Sequence, residues 1–307
     1  MTAESHDALL EDLRPAAFAI AYRMLGSVAE AEDVVQEALL RLHTALERGD
    51  RIESPRAYVA TVATRLSIDV LRSARVRRET YVGEWLPEPL VTDASADPAR
   101  QAEMSDSLSL AFLVLLESLS PEQRAAFLLH DVFGYGYGEV AEIVGKSEDN
   151  ARQLAARARR HLDERRPRFE ASREERDELA RRFFAATREG DVDGLKELLA
   201  EDVVLHGDGG GKVPALARAV HGAQRVAQTL GAWSKQAARI PDISFRLVEV
   251  NGQPGAIAMD ADGNIINVMA LDIADGRVQA IRSMVNPEKL AHLGPTASWV
   301  EPIQRRP

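Results

Sequence analysis

The chain has 307 residues, 45% hydrophobic and 28% charged, with a net charge of −10 and no cysteine. This length and composition predict two or more soluble domains, exclude disulfides and thiolate metal sites, and fit a reducing cytoplasm. No apolar run reaches the length of a membrane span, and the first residues, MTAESHDALLEDL, lack the basic and apolar segments of a secretion signal.

Helical periodicity predicts helices over 7–25, 28–47 and 55–79, punctuated by Gly26-Ser27 and Gly49-Asp50. Within 28–47, Asp33, Gln36, Glu37 and Leu40 share one stripe, while Val35, Leu39, Leu42 and Leu46 lie opposite as core. Residues 80–100, TYVGEWLPEPLVTDASADPAR, change character. Three prolines among acids and small residues read as a linker, and Trp85 and Leu86 are large apolar groups that need a cover. Helices resume over 101–118 and 121–132, followed by a glycine-rich turn and two further helices over 138–144 and 147–166.

The segment 119–162 has the grammar of a helix-turn-helix. Ser120 precedes Pro121, a cap followed by proline at the first helical position. Gly145-Lys146 form a turn, and Ser147 caps the next helix. At 100° per residue, Ala151, Leu154, Ala155, Ala158 and Leu162 fall on one side of that helix. Arg152, Gln153, Arg157 and Arg160 fall on the other, and Asn150 lies at its start. Guanidinium forks and amides suit base edges and phosphates in a major groove. The net charge argues against nucleic-acid binding, but two basic stretches run against it: Arg72, Arg75, Arg77 and Arg78, and the segment from Arg152 to Arg168.

Beyond 172 the pattern is α+β. Helices are predicted over 173–189, 192–200 and 213–235, and strands over 202–207, 243–250, 255–261, 264–273 and 277–285. Asn251-Gly252, Asp262-Gly263 and Asp275-Gly276 supply hairpin turns, so the strands read as an antiparallel meander on helices. His206 and Asp208 stand at a strand end beside three glycines. Their chemistry permits a proton shuttle and a base; the alternative is a rim histidine and a turn aspartate, and the reading favours a structural interface without catalytic residues.

The string LSPEQRAAFLLHDVFGYGYGEVAEIVGKS resembles region 4 of the extracytoplasmic-function (ECF) RNA polymerase sigma factors. The resemblance implies that Asn150, Arg152, Gln153, Arg157 and Arg160 meet the upstream (−35) promoter element. GSVAEAEDVVQEALLRLHTAL resembles the region 2 helix that docks on core polymerase, which assigns Asp33, Gln36, Glu37 and Leu40 to that contact. SPRAYVATVATRLSIDVLRSARVRRE resembles the segment that recognises and melts the downstream (−10) element. That implies DNA contacts by Arg65, Arg72, Arg75, Arg77 and Arg78, with 47–54 as the loop that captures a flipped base. Arg65 stands where the family often has Asn.

Three further motifs are similar to the SigJ-type subgroup, sigma factors fused to a SnoaL-like, NTF2-like domain. They are WLPEPL with Trp85, Leu86 and Pro87; Asp208, Gly209, Gly210, Gly211 and Lys212; and Asn286, Pro287, Glu288, Lys289 and Leu290, where the subgroup usually has Asp at 288. The implied fold is a multidomain chain: all-α region 2 (1–80), a linker (81–100), an all-α helix-turn-helix region 4 (101–168), an α+β NTF2-like cone with a curved antiparallel sheet (169–293), and a tail (294–307). The implied function is promoter-specific initiation regulated in cis when the three motifs touch. The expected partners are core RNA polymerase, promoter DNA and a small-molecule ligand of the C-terminal pocket, with no cofactor, metal or membrane. The competing readings are a helix-turn-helix transcription factor with a ligand-sensing domain, and an NTF2-like enzyme with a helical appendage. The first leaves 7–79 without a role and the second ignores the helix-turn-helix.

Overall fold

Local chemistry sets the first helices. α1 (Ala3–Leu25) stops where Gly26, at φ 66°, bonds back to the Tyr22 carbonyl, and Ser27 caps α2 (Val28–Glu47) by accepting from the Glu30 N–H at 3.2 Å. α3 (Pro55–Glu79) follows a loop containing Gly49 at φ 80°. The structure is a computed structural model and describes residues 3–79, 81–92, 107–163 and 172–297.

The chain forms two units. The first comprises 1–80 and 113–166, the second 81–112 and 167–307. In the first, α1, α2 and α3 pack on one another and are followed by α4 (Leu110–Leu116), which carries the chain back from the second unit. α5 (Pro121–Phe127) begins at a complete capping box between Ser120 and Gln123 and continues as a π-helical turn, Leu128–Val132. α6 (Tyr137–Val144) ends at Gly145, at φ 70°, and α7 (Glu148–Asp163) begins one turn later. Ala151, Ala155, Ala158 and Leu162 are buried, and Ala151 and Ala155 pack with Val140, Ala141 and Ile143 of α6. Methyl side chains let two short helices cross closely, which fixes the angle at which α7 presents its other face.

The second unit is built on one sheet in the order β1-β4-β5-β6-β7-β2-β3. Its strands are β1 (Val91–Thr92), β2 (Leu199–Asp208), β3 (Val220–His221), β4 (Ser244–Val250), β5 (Gln253–Met259), β6 (Ile265–Ala274) and β7 (Arg277–Met284). α8 (Arg173–Glu189), α9 (Val192–Leu198) and α10 (Ala223–Ala237) cover one face. Leu179, Phe183, Leu195, Val226 and Leu230 meet Leu205, Leu271, Ile273 and Ile281 there. β4 to β7 form the expected antiparallel meander, while β2 joins β7 in parallel. Asn251-Gly252 and Asp275-Gly276 both adopt positive φ, as tight hairpins require. Asp262-Gly263 does not form this turn. Only Gly263 has positive φ, and Asp260 instead gathers the N–H groups of Asp262 and Asn264.

Three elements differ from the sequence expectation. The predicted helix over 213–235 is helical only from 223, because 209–222 runs as turns and the short β3, with glycines at 209–211 and 222. Pairing along the linker was not foreseen: β1 adds to the edge of the sheet, Val91 opposite Val250 and Thr92 opposite Glu249. The helix expected over 101–118 is seen from 107 onward, interrupted at Ser109; 101–106 lie outside the described residues.

Candidate nucleic-acid interface and strap anchor

Asn150, Arg152, Gln153, Arg157 and Arg160 are all exposed on the side of α7 opposite its buried alanines. Arg152 pairs with Glu148 at 2.8 Å. Arg159, which the sequence reading did not single out, is bound to the π-helical turn through Asp131 at 2.6 and 2.8 Å. It ties the recognition helix to the element before it.

On α2, Asp33, Gln36 and Leu40 are exposed and Glu37 is half-buried. Leu40 keeps 57% of its surface in water, an apolar group with a vacant side beside acids. Glu37 is bonded to Arg41 at 2.7 Å. Val35 and Leu42 are buried as expected, whereas Leu39 and Leu46 are half-buried.

The arginines assigned to the downstream element divide. Arg65 donates to the Ile143 carbonyl at 3.0 Å and the Glu142 carbonyl at 2.8 Å, at the C-terminal end of α6. Arg72 bonds Glu122 of α5 at 2.7 Å. A third bond runs the other way: Arg124, 2% exposed, donates from α5 to the Met24 carbonyl at 2.5 Å, at the end of α1, and to Glu117 at 2.8 Å. Each half of the first unit therefore places a cation on a helix C-terminus of the other, where orphan carbonyls favour positive charge. Burial pushes the Arg124 guanidinium down to about 9. The side chains of Arg75, Arg77 and Arg78 lie outside the described ones.

The two C-terminal motifs converge on one strap, 81–92, which carries the third. In β2, Leu205 points into the core, so His206 and Asp208 face the other side of the sheet. The strap crosses that side. Asp208 has no exposed surface. Its carboxylate accepts from the Tyr81 hydroxyl at 2.5 Å, the Leu86 N–H at 2.8 Å, the Gly210 N–H at 3.0 Å and the Lys289 ammonium at 2.7 Å. Lys289 also donates to the Leu86 carbonyl, and it lies 4.8 Å from the Tyr81 ring centroid and 4.4 Å from that of Trp85. Asn286 donates to the Tyr81 hydroxyl at 2.9 Å and caps α11 (Pro287–Leu290). Burial, then the bond to the Asp208 carboxylate, pushes the Tyr81 phenol well above its ordinary value.

Leu86 is 2% exposed and Pro87 is buried, while Trp85 is half-buried under Lys289. Leu290 is buried; Glu288 reaches Lys212 at 2.9 Å, both well exposed, and such a pair contributes little. Four contacts escaped the sequence reading. Glu84 meets His206 at 2.6 Å; His292 meets the Pro89 carbonyl at 2.9 Å; Asn251 receives the Leu90 N–H at 2.8 Å and donates to the Leu108 carbonyl at 2.9 Å. Burial raises the Glu84 carboxyl, but the bond and charge of His206 outweigh it and hold it below the ordinary range. The Asn-Gly pair was legible as a turn; that its side chain also grips the strap was not.

The glycines are there for close approach. A Cβ on Gly210 would lie 2.2 Å from Asn286 Nδ2 at φ 59°, one on Gly211 2.9 Å from Val82 Cβ, and one on Gly209 2.6 Å from the Val213 carbonyl. Gly210→Ala is expected to cost about 1–3 kcal/mol through positive φ and this clash. Urea unfolding followed by tryptophan fluorescence measures it, and a cost below the lower bound would contradict the packing argument. Among the described residues no group of three or more His, Asp or Glu is placed to hold a metal, and no helix is long and apolar enough to cross a membrane.

Residues 9–77 match the family description Sigma-70 region 2, residues 109–162 match Sigma-70, region 4, and residues 180–285 match a SnoaL-like domain. The ECF RNA polymerase sigma factor SigJ of Mycobacterium tuberculosis is 40% identical over 288 residues, covering 91% of each chain. The chain belongs to the extracytoplasmic-function RNA polymerase sigma factors. A second sigma factor of that family from M. tuberculosis, the probable SigI, is 35% identical over 93% of this chain and 92% of its own length. The crystal structure of M. tuberculosis SigJ superposes with a TM-score of 0.75 at 35% identity, covering 94% of this chain and 99% of that one. In this ECF sigma factor, region 2 supplies α1 to α3, region 4 supplies the helix-turn-helix of α6 and α7, and the SnoaL-like match falls within the unit that anchors the strap.

Proposed function

We propose that this sigma factor directs core RNA polymerase to specific promoters in the cytoplasm, with the C-terminal unit regulating that activity in cis. The observation that carries the reading is α7: five polar side chains, three of them arginines, stand exposed opposite a seam of buried alanines. In this reading they contact the upstream element, and the exposed stripe of α2 contacts polymerase through Asp33, Gln36, Glu37 and Leu40. Arg65, Arg72, Arg75, Arg77 and Arg78 serve the downstream element.

Arg65 and Arg72 are bonded to region 4 rather than free. The two elements lie roughly 25 base pairs apart, about 85 Å of duplex at 3.4 Å per step. A compact unit of roughly 130 residues is only about 35–40 Å across. The three arginine ties between the regions therefore have to break when both elements are engaged, and the structure corresponds to a closed, resting form.

The strap is the chain between region 2 and region 4, so whatever holds it limits how far the regions separate. We assign a regulatory rather than catalytic role to Asp208, because four donors fill its carboxylate and no surface remains for a substrate. A small ligand enters this scheme only by binding the C-terminal unit differently with the strap seated and released.

The test is transcription with purified core polymerase on a genomic promoter library. Specific initiation is expected only with this chain present, and Arg152→Ala or Arg157→Ala is expected to cost about 1–3 kcal/mol of promoter discrimination. No specific transcript with the parent chain would overturn the reading.

A further inference from the structure

We propose that Tyr137 is a positioning residue for promoter recognition, holding Arg152 in the orientation from which it reads a base. This rests on the role of α7 proposed above. Tyr137 opens α6, between Gly136 and Gly138. Its ring stacks on His130, with centroids 3.8 Å apart and planes 25° from parallel. His130 is itself fixed, its Nδ1 bonded to the Tyr135 carbonyl at 2.8 Å. The Arg152 guanidinium carbon lies 5.2 Å from the centroid of the Tyr137 ring. A stack as close as that with His130 fills one face, so Arg152 occupies the other.

The hydroxyl end of Tyr137 has a second task. Arg159 is bonded to Asp131, and the Tyr137 hydroxyl first and that carboxylate second push the Arg159 guanidinium above its ordinary value. Arg152 and Arg159 are seven residues apart, two turns along one side of α7. One tyrosine thus meets two arginines of the recognition helix, its ring serving the exposed Arg152 and its hydroxyl the anchoring Arg159.

The chemistry favours this arrangement. An arginine reads guanine with a planar fork, so discrimination depends on the plane of the guanidinium. An unrestrained arginine samples many rotamers and loses that freedom on binding. Tyr137 on one side and Glu148, at 2.8 Å, on the other restrict Arg152 before DNA arrives. An exposed cation–π contact is worth about 2- to 5-fold in affinity.

The experiment selects duplexes from a randomised pool with the full-length chain assembled on core polymerase. It compares the parent with Arg152→Ala, Tyr137→Ala, Tyr137→Leu, Tyr137→Phe and the double variant Tyr137→Ala/Arg152→Ala. Arg152→Ala is expected to flatten the preference at one or two base positions. Tyr137→Ala and Tyr137→Leu are expected to flatten the same positions and weaken the preferred duplex about 2- to 5-fold. Tyr137→Phe, which keeps the ring, is expected to retain the preference, and the double variant to be no worse than Arg152→Ala alone. Leucine keeps the apolar bulk, so it reports on the ring even if the alanine variant folds poorly. Full preference at the Arg152 positions in the leucine variant, or an even loss at all positions, would overturn the proposal. An unchanged profile in Arg152→Ala would overturn the base-reading role of Arg152 itself, and the two failures are thereby distinguished.

Discussion

Replacing Asp208 with alanine is expected to destabilise the C-terminal unit by about 3–5 kcal/mol, the cost of leaving a buried charge without its partner. The lysine cannot escape to water. Lys289 is buried between the Leu86 carbonyl and the faces of Tyr81 and Trp85, and without Asp208 it loses the carboxylate that balances its charge. The Tyr81 hydroxyl and the Leu86 and Gly210 N–H groups lose an acceptor at the same moment. The reciprocal change, Lys289→Met, is expected to cost less, about 1.5–3 kcal/mol, because Asp208 keeps three of its four donors. Urea unfolding of the full-length chain measures both, and equal costs would show that the carboxylate is not the centre of the anchor. Promoter-dependent transcription by Asp208→Ala should also change at equal protein level, because the strap joins the two regions that contact DNA.

The second large effect has the opposite sign. Arg124→Met is expected to leave the first unit as stable or to stabilise it by about 1–4 kcal/mol, and to lower promoter-dependent transcription. Arg124 is buried in the closed form, where burial lowers its guanidinium to about 9, well below its ordinary value. The unfolded chain therefore binds more protons above that pH. The penalty is complete below about 9, and the stability of the parent rises as pH increases beyond it. Methionine has similar volume and no charge to desolvate; exchanging a whole buried ion pair for apolar groups is often neutral or stabilising, whereas removing one partner is costly when the charge left behind stays buried. Glu117 keeps 22% of its side chain exposed, so water compensates it in the variant. Stabilising the closed form lowers the open population about tenfold for each 1.4 kcal/mol, which is why transcription should fall. Chemical unfolding at pH 7 and pH 10 tests the argument: the advantage of the variant should be smaller at the higher pH. Destabilisation by more than 2 kcal/mol would mean that the bonds to Met24 and Glu117 outweigh the cost of burial.

What was legible in the sequence followed from local rules. α2 and α8 begin and end, and α3 begins, where serines, a proline and glycines mark the boundary, because those groups satisfy or terminate backbone hydrogen bonds within one turn. The buried seam Ala151, Ala155, Ala158 and Leu162 follows from the helical period, as does the exposure of Arg152, Gln153 and Arg157 opposite it. The need to cover Leu86 was visible from its size in a polar stretch.

Long-range partners were not legible, since nothing local encodes them. Glu84 finds His206, and Asn251 finds Leu90 and Leu108, only once the strap lies on the sheet. The residues over 213–222 look helical by composition, yet the loop that follows Asp208 keeps them in turns beside the sheet. Arg65 reads as a DNA-facing arginine and nothing local marks Arg124, yet each ends on a carbonyl about 80–100 positions away in the chain. The sequence by itself thus determined most of the helices, two of the three predicted hairpin turns, the polarity of the recognition helix and the membership of three motifs in one pattern. Tertiary structure alone decided which charges are buried and what they face, because the cost of burying a charge depends on every group brought around it.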